Sequence, residues 1–220
     1  VSEGVKIVFT SAGSPKKYTP MLHEAGAVVA HVVSSSKFAR KCEEAEVDAV
    51  VAEGFEAGGH NGREETATMA LVPQVRAAIT IPLIAAGGIA SAEQVNALLA
   101  MGAAGVSVGT ALLTTAESSA CDAHRYYAEF GTACDTVLTR IYNGRLSRVL
   151  RNALVEALDD WELMTAGYPA QKALMGPLDR CASEVGRNDL VMLPLGQSAG
   201  RSAYRRTADC VHALFPRRAD

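Results

Sequence analysis

Five short runs of apolar, largely β-branched residues punctuate the first half of the chain: VKIVFT (5–10), AVVAHVV (27–33), DAVVAE (48–53), IPLIAA (81–86) and GVSVG (105–109). They are continuously apolar instead of alternating, the pattern of strands buried on both faces of a parallel sheet. Segments with helical spacing lie between them, among them SKFARKCEEAEV, ATMALVPQVRAAI and SAEQVNALLAMGA. Regular alternation of strand and helix predicts an α/β fold with right-handed crossovers. Pro73 suits the first turn of its helix or a kink better than a regular interior. Ser91 and Gln94 have the spacing of a capping box, so a helix should begin directly after GGIA.

The predicted strands start at 5, 27, 48, 81 and 105, and the one long interval holds EGFEAGGHNGREE (53–65). Ligands of α/β folds bind at the carboxyl ends of parallel strands, so an enlarged loop at that edge points to function. Beyond about residue 117 the pattern changes. ESSACDAHRYYAEFG, SRVLRNALVEALDDWELM and AQKALMGPLDRCASEV read as helices without strong strands between them, and SAYRRTADCVHALF as a final helix. YPAQ and MGP read as turns. The expected organisation is a barrel-like domain of residues 1–120 and 197–220 with a helical insertion at 121–196.

Composition narrows the function classes. A formal charge of -3 and the lack of Lys/Arg clusters interleaved with aromatics argue against nucleic acid. Apolar stretches are broken well before the roughly 18 residues that span a bilayer, so a soluble, cytoplasmic protein is expected, with no membrane partner. Five cysteines, at 42, 121, 134, 181 and 210, lack C-x-x-C spacing and are expected as reduced, buried thiols. The chain begins with Val1, which suggests a fragment.

Candidate chemistry falls at strand ends. AAGGIAS (85–91) joins a strand to a capped helix through Gly87 and Gly88, and SVGTALL places Gly109 and Thr110 after the next strand. Glycine permits close backbone approach, and free N–H groups at a helix start bind phosphate. Two successive loops of this kind are similar to the phosphate site after the last two strands of many (β/α)8 barrels. On that numbering the first strand present is the fourth. TSAGSP (10–15) is another loop of the same edge. His60, behind Gly58 and Gly59, could exchange a proton near neutrality, with Glu53, Glu56, Glu64 or Glu65 to orient it. Residue type alone leaves it equally a surface histidine. His31 reads as a core histidine, His23 and His212 as helix-surface residues, and the YRR and PRR clusters as solvated. Cys121 and His124 lack further ligands for zinc, so no metal is expected.

Taken together, AEGFEAGGHNG, IPLIAAGGIA and GAAGVSVGTALL resemble the nitronate monooxygenase family, with a pattern shared by bacterial flavin-dependent enoyl-acyl-carrier-protein reductases. The resemblance implies a TIM barrel that binds FMN, here without its first three βα units, and a mainly helical insertion after the last strand. By position it puts Gly58 beside the flavin, gives the FMN phosphate to Ala86, Gly87, Gly88, Gly109 and Thr110, and makes His60 the active-site histidine. The implied reaction is oxidation of small-molecule nitronates with O2 to carbonyl compounds and nitrite. NADH-dependent reduction of an enoyl thioester is the alternative, and a non-catalytic domain binding phosphate-bearing ligands is a second. A homodimer is left open.

Overall fold

The computed structural model describes residues 3–215. Its strands, in chain order, are β1 (Ile7–Ser11), β2 (Val28–Val33), β3 (Ala49–Glu53), β4 (Gly59–His60), β5 (Leu83–Ala86), β6 (Gly105–Ser107), β7 (Thr136–Thr139) and β8 (Ser147–Leu150). The helices are α1 (Thr19–Glu24), α2 (Ser36–Glu43), α3 (Thr68–Arg76), α4 (Ala92–Ala100), α5 (Asp122–Phe130), α6 (Ala153–Ala157), α7 (Ala170–Glu184) and α8 (Thr207–Leu214). The chain divides into two compact units, Val1–Phe55 with Gly62–Val108, and Glu56–Asn61 with Gly109–Asp220.

In the first unit all five expected strands form, pair in parallel, and follow the order β1-β2-β3-β5-β6. The α/β class and the parallel sheet are therefore as the apolar runs implied. Side chains alternate across a strand, and the two faces differ. Val29, Val50, Leu83 and Ala85 are fully buried on one face. Ala30, Val51 and Ala86, with Val32, Ala49 and Ile84, form a cluster on the other. The expectation of burial on both faces fails for β1, whose Ile7 and Phe9 are each 58% exposed. It is the edge strand, with β2 as its neighbour.

The capping box forms: Ser91 Oγ accepts from the Gln94 N–H at 3.4 Å, and Gln94 Oε1 accepts from the Ser91 and Ala90 N–H groups at 3.1 and 2.8 Å. Pro73 lies inside α3 instead of in its first turn. Leu71, Val72 and Val75 of that helix are buried, so apolar packing holds the segment helical around a proline that cannot donate to the preceding turn.

The second unit corrects the expectation of helices alone. A three-stranded antiparallel sheet runs β4-β8-β7, with Gly59 opposite Arg148 and His60 opposite Ser147. SRVLRNALVEAL is split: Ser147–Leu150 is a strand, and Asn152 caps α6 by accepting from the Val155 N–H at 3.2 Å. MGP is no turn, since α7 continues through Gly176 and Pro177. Behind the sheet, Ile141, Tyr142, Val149, Leu154 and Val155 form one core cluster. Leu150, Leu193, Leu195 and Ala128 belong to another.

The cysteines also depart from expectation. Cys42 and Cys210 are buried, Cys121 is half-buried, and Cys134 and Cys181 are exposed. Among the described residues no helix is long and apolar enough to cross a membrane. The PRR cluster lies outside the described residues.

Candidate active site

His60 belongs to β4, and two hydrogen bonds of its neighbour Asn61 fix it against the β7–β8 hairpin. The Asn61 N–H donates to Leu146 O at 3.0 Å, and Asn61 Oδ1 accepts from the Arg148 N–H at 3.0 Å. Asn143, buried in that connection, hydrogen-bonds the imidazole. Its Oδ1 also accepts from the Arg145 N–H at 2.8 Å, and its Nδ2 donates to Ser147 Oγ at 3.2 Å. The Arg145 guanidinium stacks on Tyr168, 4.2 Å from the ring centroid. That stacking is possible because Gly144 lies against the backbone of 166–168, where a Cβ would meet Ala166 O at 2.4 Å. Gln171 Nε2 donates to Ile141 O at 2.5 Å, which fastens the start of α7, and hence Lys172, to the same connection.

The electrostatics follow from this assembly. His60 is exposed as a residue, yet its ring is desolvated enough to lower its pKa, and the Arg145 and Lys172 cations lower it further. The bond from Asn143 acts in the opposite sense. The imidazole is thus neutral at physiological pH, with positive charge around it. The expectation of an orienting carboxylate is replaced by an amide. Glu64 accepts from Ser34 Oγ at 2.9 Å, and the charge of Glu56 acts on Arg148.

Gly58 has a reason of its own to be glycine: a Cβ there would lie 2.8 Å from Gly196 N and Leu195 C. Gly196 is held in turn, its N–H donating to Thr110 Oγ1 at 2.9 Å. Thr110 opens a short 3-10 helix, and its hydroxyl keeps a proton to donate. Gly109 is exposed, with nothing within 4 Å of an added Cβ. Gly58, His60, Gly109 and Thr110 all belong to the second unit.

Ala86, Gly87 and Gly88 belong to the first unit and follow β5. Gly87 and Gly88 have φ of +102° and +70°, the left-handed region that glycine enters without penalty. Their carbonyls are committed, Gly87 O to Thr68 Oγ1 at 2.9 Å and Gly88 O to Gln94 Nε2 at 2.8 Å. Among the described residues neither glycine N–H donates to a backbone carbonyl. Carbonyls tied back and N–H groups without an acceptor leave this loop with donors of the kind an anion such as a phosphate takes. The capping box refines the expectation, because it already occupies the Ala90, Ser91 and Gln94 N–H groups of α4. Gly87 and Gly88 thus add free donors beside the start of α4.

Residues 1–214 match the family profile described as nitronate monooxygenase. The chain belongs to the nitronate monooxygenase family. A probable nitronate monooxygenase of Staphylococcus aureus (strain Newman) is 37% identical over 164 residues, which cover 71% of this chain and 46% of that protein. The chain therefore spans about half the length of the curated relatives it matches. Nitroalkane oxidase from Streptomyces ansochromogenes superposes with a TM-score of 0.86 at 31% identity, over 97% of this chain and 64% of that one. FabK from Thermotoga maritima gives a TM-score of 0.86 at 34% identity, over 97% and 68%. Members of the nitronate monooxygenase family are flavoenzymes, so a flavin is the cofactor class.

Other histidines have structural roles. His31 is buried, with Nδ1 2.7 Å from Thr10 Oγ1, and His124 Nε2 lies 2.7 Å from Pro194 O. His23 pairs with Asp48 at 2.9 Å. Sequence reasoning missed Asn143, Arg145 and Lys172. A signal for the first two was present, since Asn143-Gly144 lies between two β-branched runs and marks a hairpin.

Proposed function

We propose that this chain carries the cofactor and substrate groups of an FMN-dependent oxidoreductase that converts alkyl nitronates and O2 to carbonyl compounds and nitrite. The observation that carries the reading is the setting of His60: a neutral imidazole bonded to Asn143 and flanked by Arg145 and Lys172. A nitronate is already an anion, so the cations attract it and no strong base is needed. The lowered basicity of His60 favours such a substrate over a neutral nitroalkane, whose carbon must first lose a proton. His60 positions the anionic nitro group, and Asn143 fixes the ring. Gly58 lies beside the flavin, while Ala86, Gly87, Gly88, Gly109 and Thr110 hold the FMN phosphate through their backbone groups. Bound FMN supplies the redox chemistry. The parallel sheet is read as strands four to eight of a (β/α)8 barrel, supported by its strand order and by the two superpositions.

The likeness to FabK, with the same TM-score, supports a second reading as an NADH-dependent enoyl-thioester reductase. Anaerobic mixing of the flavin-loaded protein with propionate 3-nitronate or with NADH separates the two. Bleaching by the nitronate alone supports the oxidase chemistry, and bleaching by NADH alone overturns it. Under the first reading His60→Asn lowers turnover by roughly a hundredfold or more with flavin content retained; unchanged turnover removes His60 from the mechanism.

A further inference from the structure

Strand pairing sets His60 opposite Ser147, and the Ser147 hydroxyl meets the buried amide of Asn143 at 3.2 Å. Each hydrogen bond of this group has a direction that its partners dictate. A backbone N–H can only donate, so the Asn143 atom 2.8 Å from the Arg145 N–H is the carbonyl Oδ1, and the other is Nδ2. The Ser147 hydroxyl gives its proton to Arg145 O at 3.2 Å, so towards Nδ2 it accepts. The second Nδ2 hydrogen has the Met192 thioether, a weak acceptor 3.8 Å away. Both amide hydrogens are thus in use.

What Asn143 still offers the imidazole is the second lone pair of Oδ1. The bond between the two therefore runs from a ring N–H to Oδ1, the sense in which it raises the His60 pKa. A neutral imidazole has one N–H, so with that proton held towards Asn143 the other ring nitrogen presents a lone pair. The opposite tautomer would set a lone pair against Oδ1. The charged groups that face the ring, Arg145 of the β7–β8 connection and Lys172 of α7, both oppose its protonation. On β8, Arg148 lies opposite Gly59, one place along from the His60 pair, and the charge of Glu56 acts on it.

We infer that Asn143 is a positioning residue that fixes the tautomer of His60 and leaves its other ring nitrogen an acceptor. An anionic nitro group then enters with one proton from water, which goes to that nitrogen. The resulting imidazolium has one N–H for Asn143 and one for the ligand. The tautomer rests on the hydrogen bonds alone, and the proton uptake rests on the nitronate reading above. Uptake means that binding raises the pKa of His60. Anion affinity is then greatest below the depressed pKa of the free ring and declines as pH rises above it.

The test is NMR of the histidine ring nitrogens, with the His60 signals assigned by their loss in His60→Gln. Above its titration midpoint the free wild-type ring should hold one tautomer over the other by about tenfold or more. Asn143→Ala should populate both tautomers, and Asn143→Asp, which keeps an acceptor, should restore one. Mixed tautomers in the wild-type chain, a measurement that needs no variant, overturn the inference and leave the nitronate reading standing. A single tautomer that survives Asn143→Ala in a folded protein does the same. Nitrite, an anion with the same two oxygens on nitrogen, probes the uptake. Its affinity should fall by up to about tenfold per pH unit above the midpoint of the free ring, and the His60 signals should move to those of imidazolium as it binds. Affinity that is flat with pH refutes the uptake, and no nitrite binding at any pH counts against the nitronate reading as well.

Discussion

Gly58→Ala tests whether the glycine before His60 is dictated by the protein's own backbone. The new Cβ would lie 2.8 Å from Gly196 N and Leu195 C and 2.9 Å from Leu195 N, all backbone atoms. That backbone is held in place: the Gly196 N–H donates to Thr110 Oγ1 and the Gln197 N–H to Glu56 O, each at 2.9 Å, and the Leu195 side chain is wholly buried. Relief therefore requires either overpacking, at about 1–3 kcal/mol, or a shift that weakens two hydrogen bonds, at about 1 kcal/mol each. A cost of about 1–3 kcal/mol by either route corresponds to a Tm lower by roughly 2–12 °C for a chain of this size. The assay is thermal unfolding by circular dichroism without flavin, so that cofactor contacts cannot contribute. Gly59→Ala is the control, because its φ of +92° is strained but the space is empty; it should cost only about 1–2 kcal/mol. Equal Tm values for Gly58→Ala and wild type would refute the packing argument and leave the flavin as the sole reason for glycine at 58.

Other expectations concern charge and cofactor. Lys172→Met removes a cation that lowers the pKa of His60, so the acid limb of activity should move to higher pH; an unmoved limb would show that Lys172 does not act on the ring. Gly88→Val puts a β-branched residue at φ +70° in the loop with free N–H groups, and flavin content after purification should drop. Normal content would count against that loop as the phosphate site. His31 and His124 both have pKa values lowered by burial. The unfolded chain then binds more protons in acid, so their stabilising contribution is complete above about pH 6.5 and is lost as pH falls through the depressed folded values. Urea midpoints measured across that range should decline, and a flat profile would refute the burial argument.

The parallel sheet was legible because each of its strands is a short apolar run bounded by helix signals, and the cap at Ser91 because two side chains at fixed spacing define it. The antiparallel sheet was not. Ser147–Leu150 contains Val and Leu at positions that also fit a helix, and only the Asn152 cap marks the break. His60 was legible as a candidate from its glycines, but its electrostatic surroundings were not. Arg145 and Lys172 reach it through strand pairing and through the close backbone contact at Gly144, relations between residues far apart in sequence. Glu53 was legible in sequence as a carboxylate near His60, but its desolvation was not, since that depends on the neighbouring strands.

The exposed edge strand bears on how the protein can be handled. Strand β1 presents Ile7 and Phe9 to solvent, and an uncovered sheet edge with apolar side chains is a template for edge-to-edge growth. Colloidal behaviour of this chain at high concentration is then set in part by Ile7 and Phe9, which share the sheet face of Ala30 and Val51. A lysine at position 7, at the amino end of β1, would blunt that edge away from the strand ends that carry the loops.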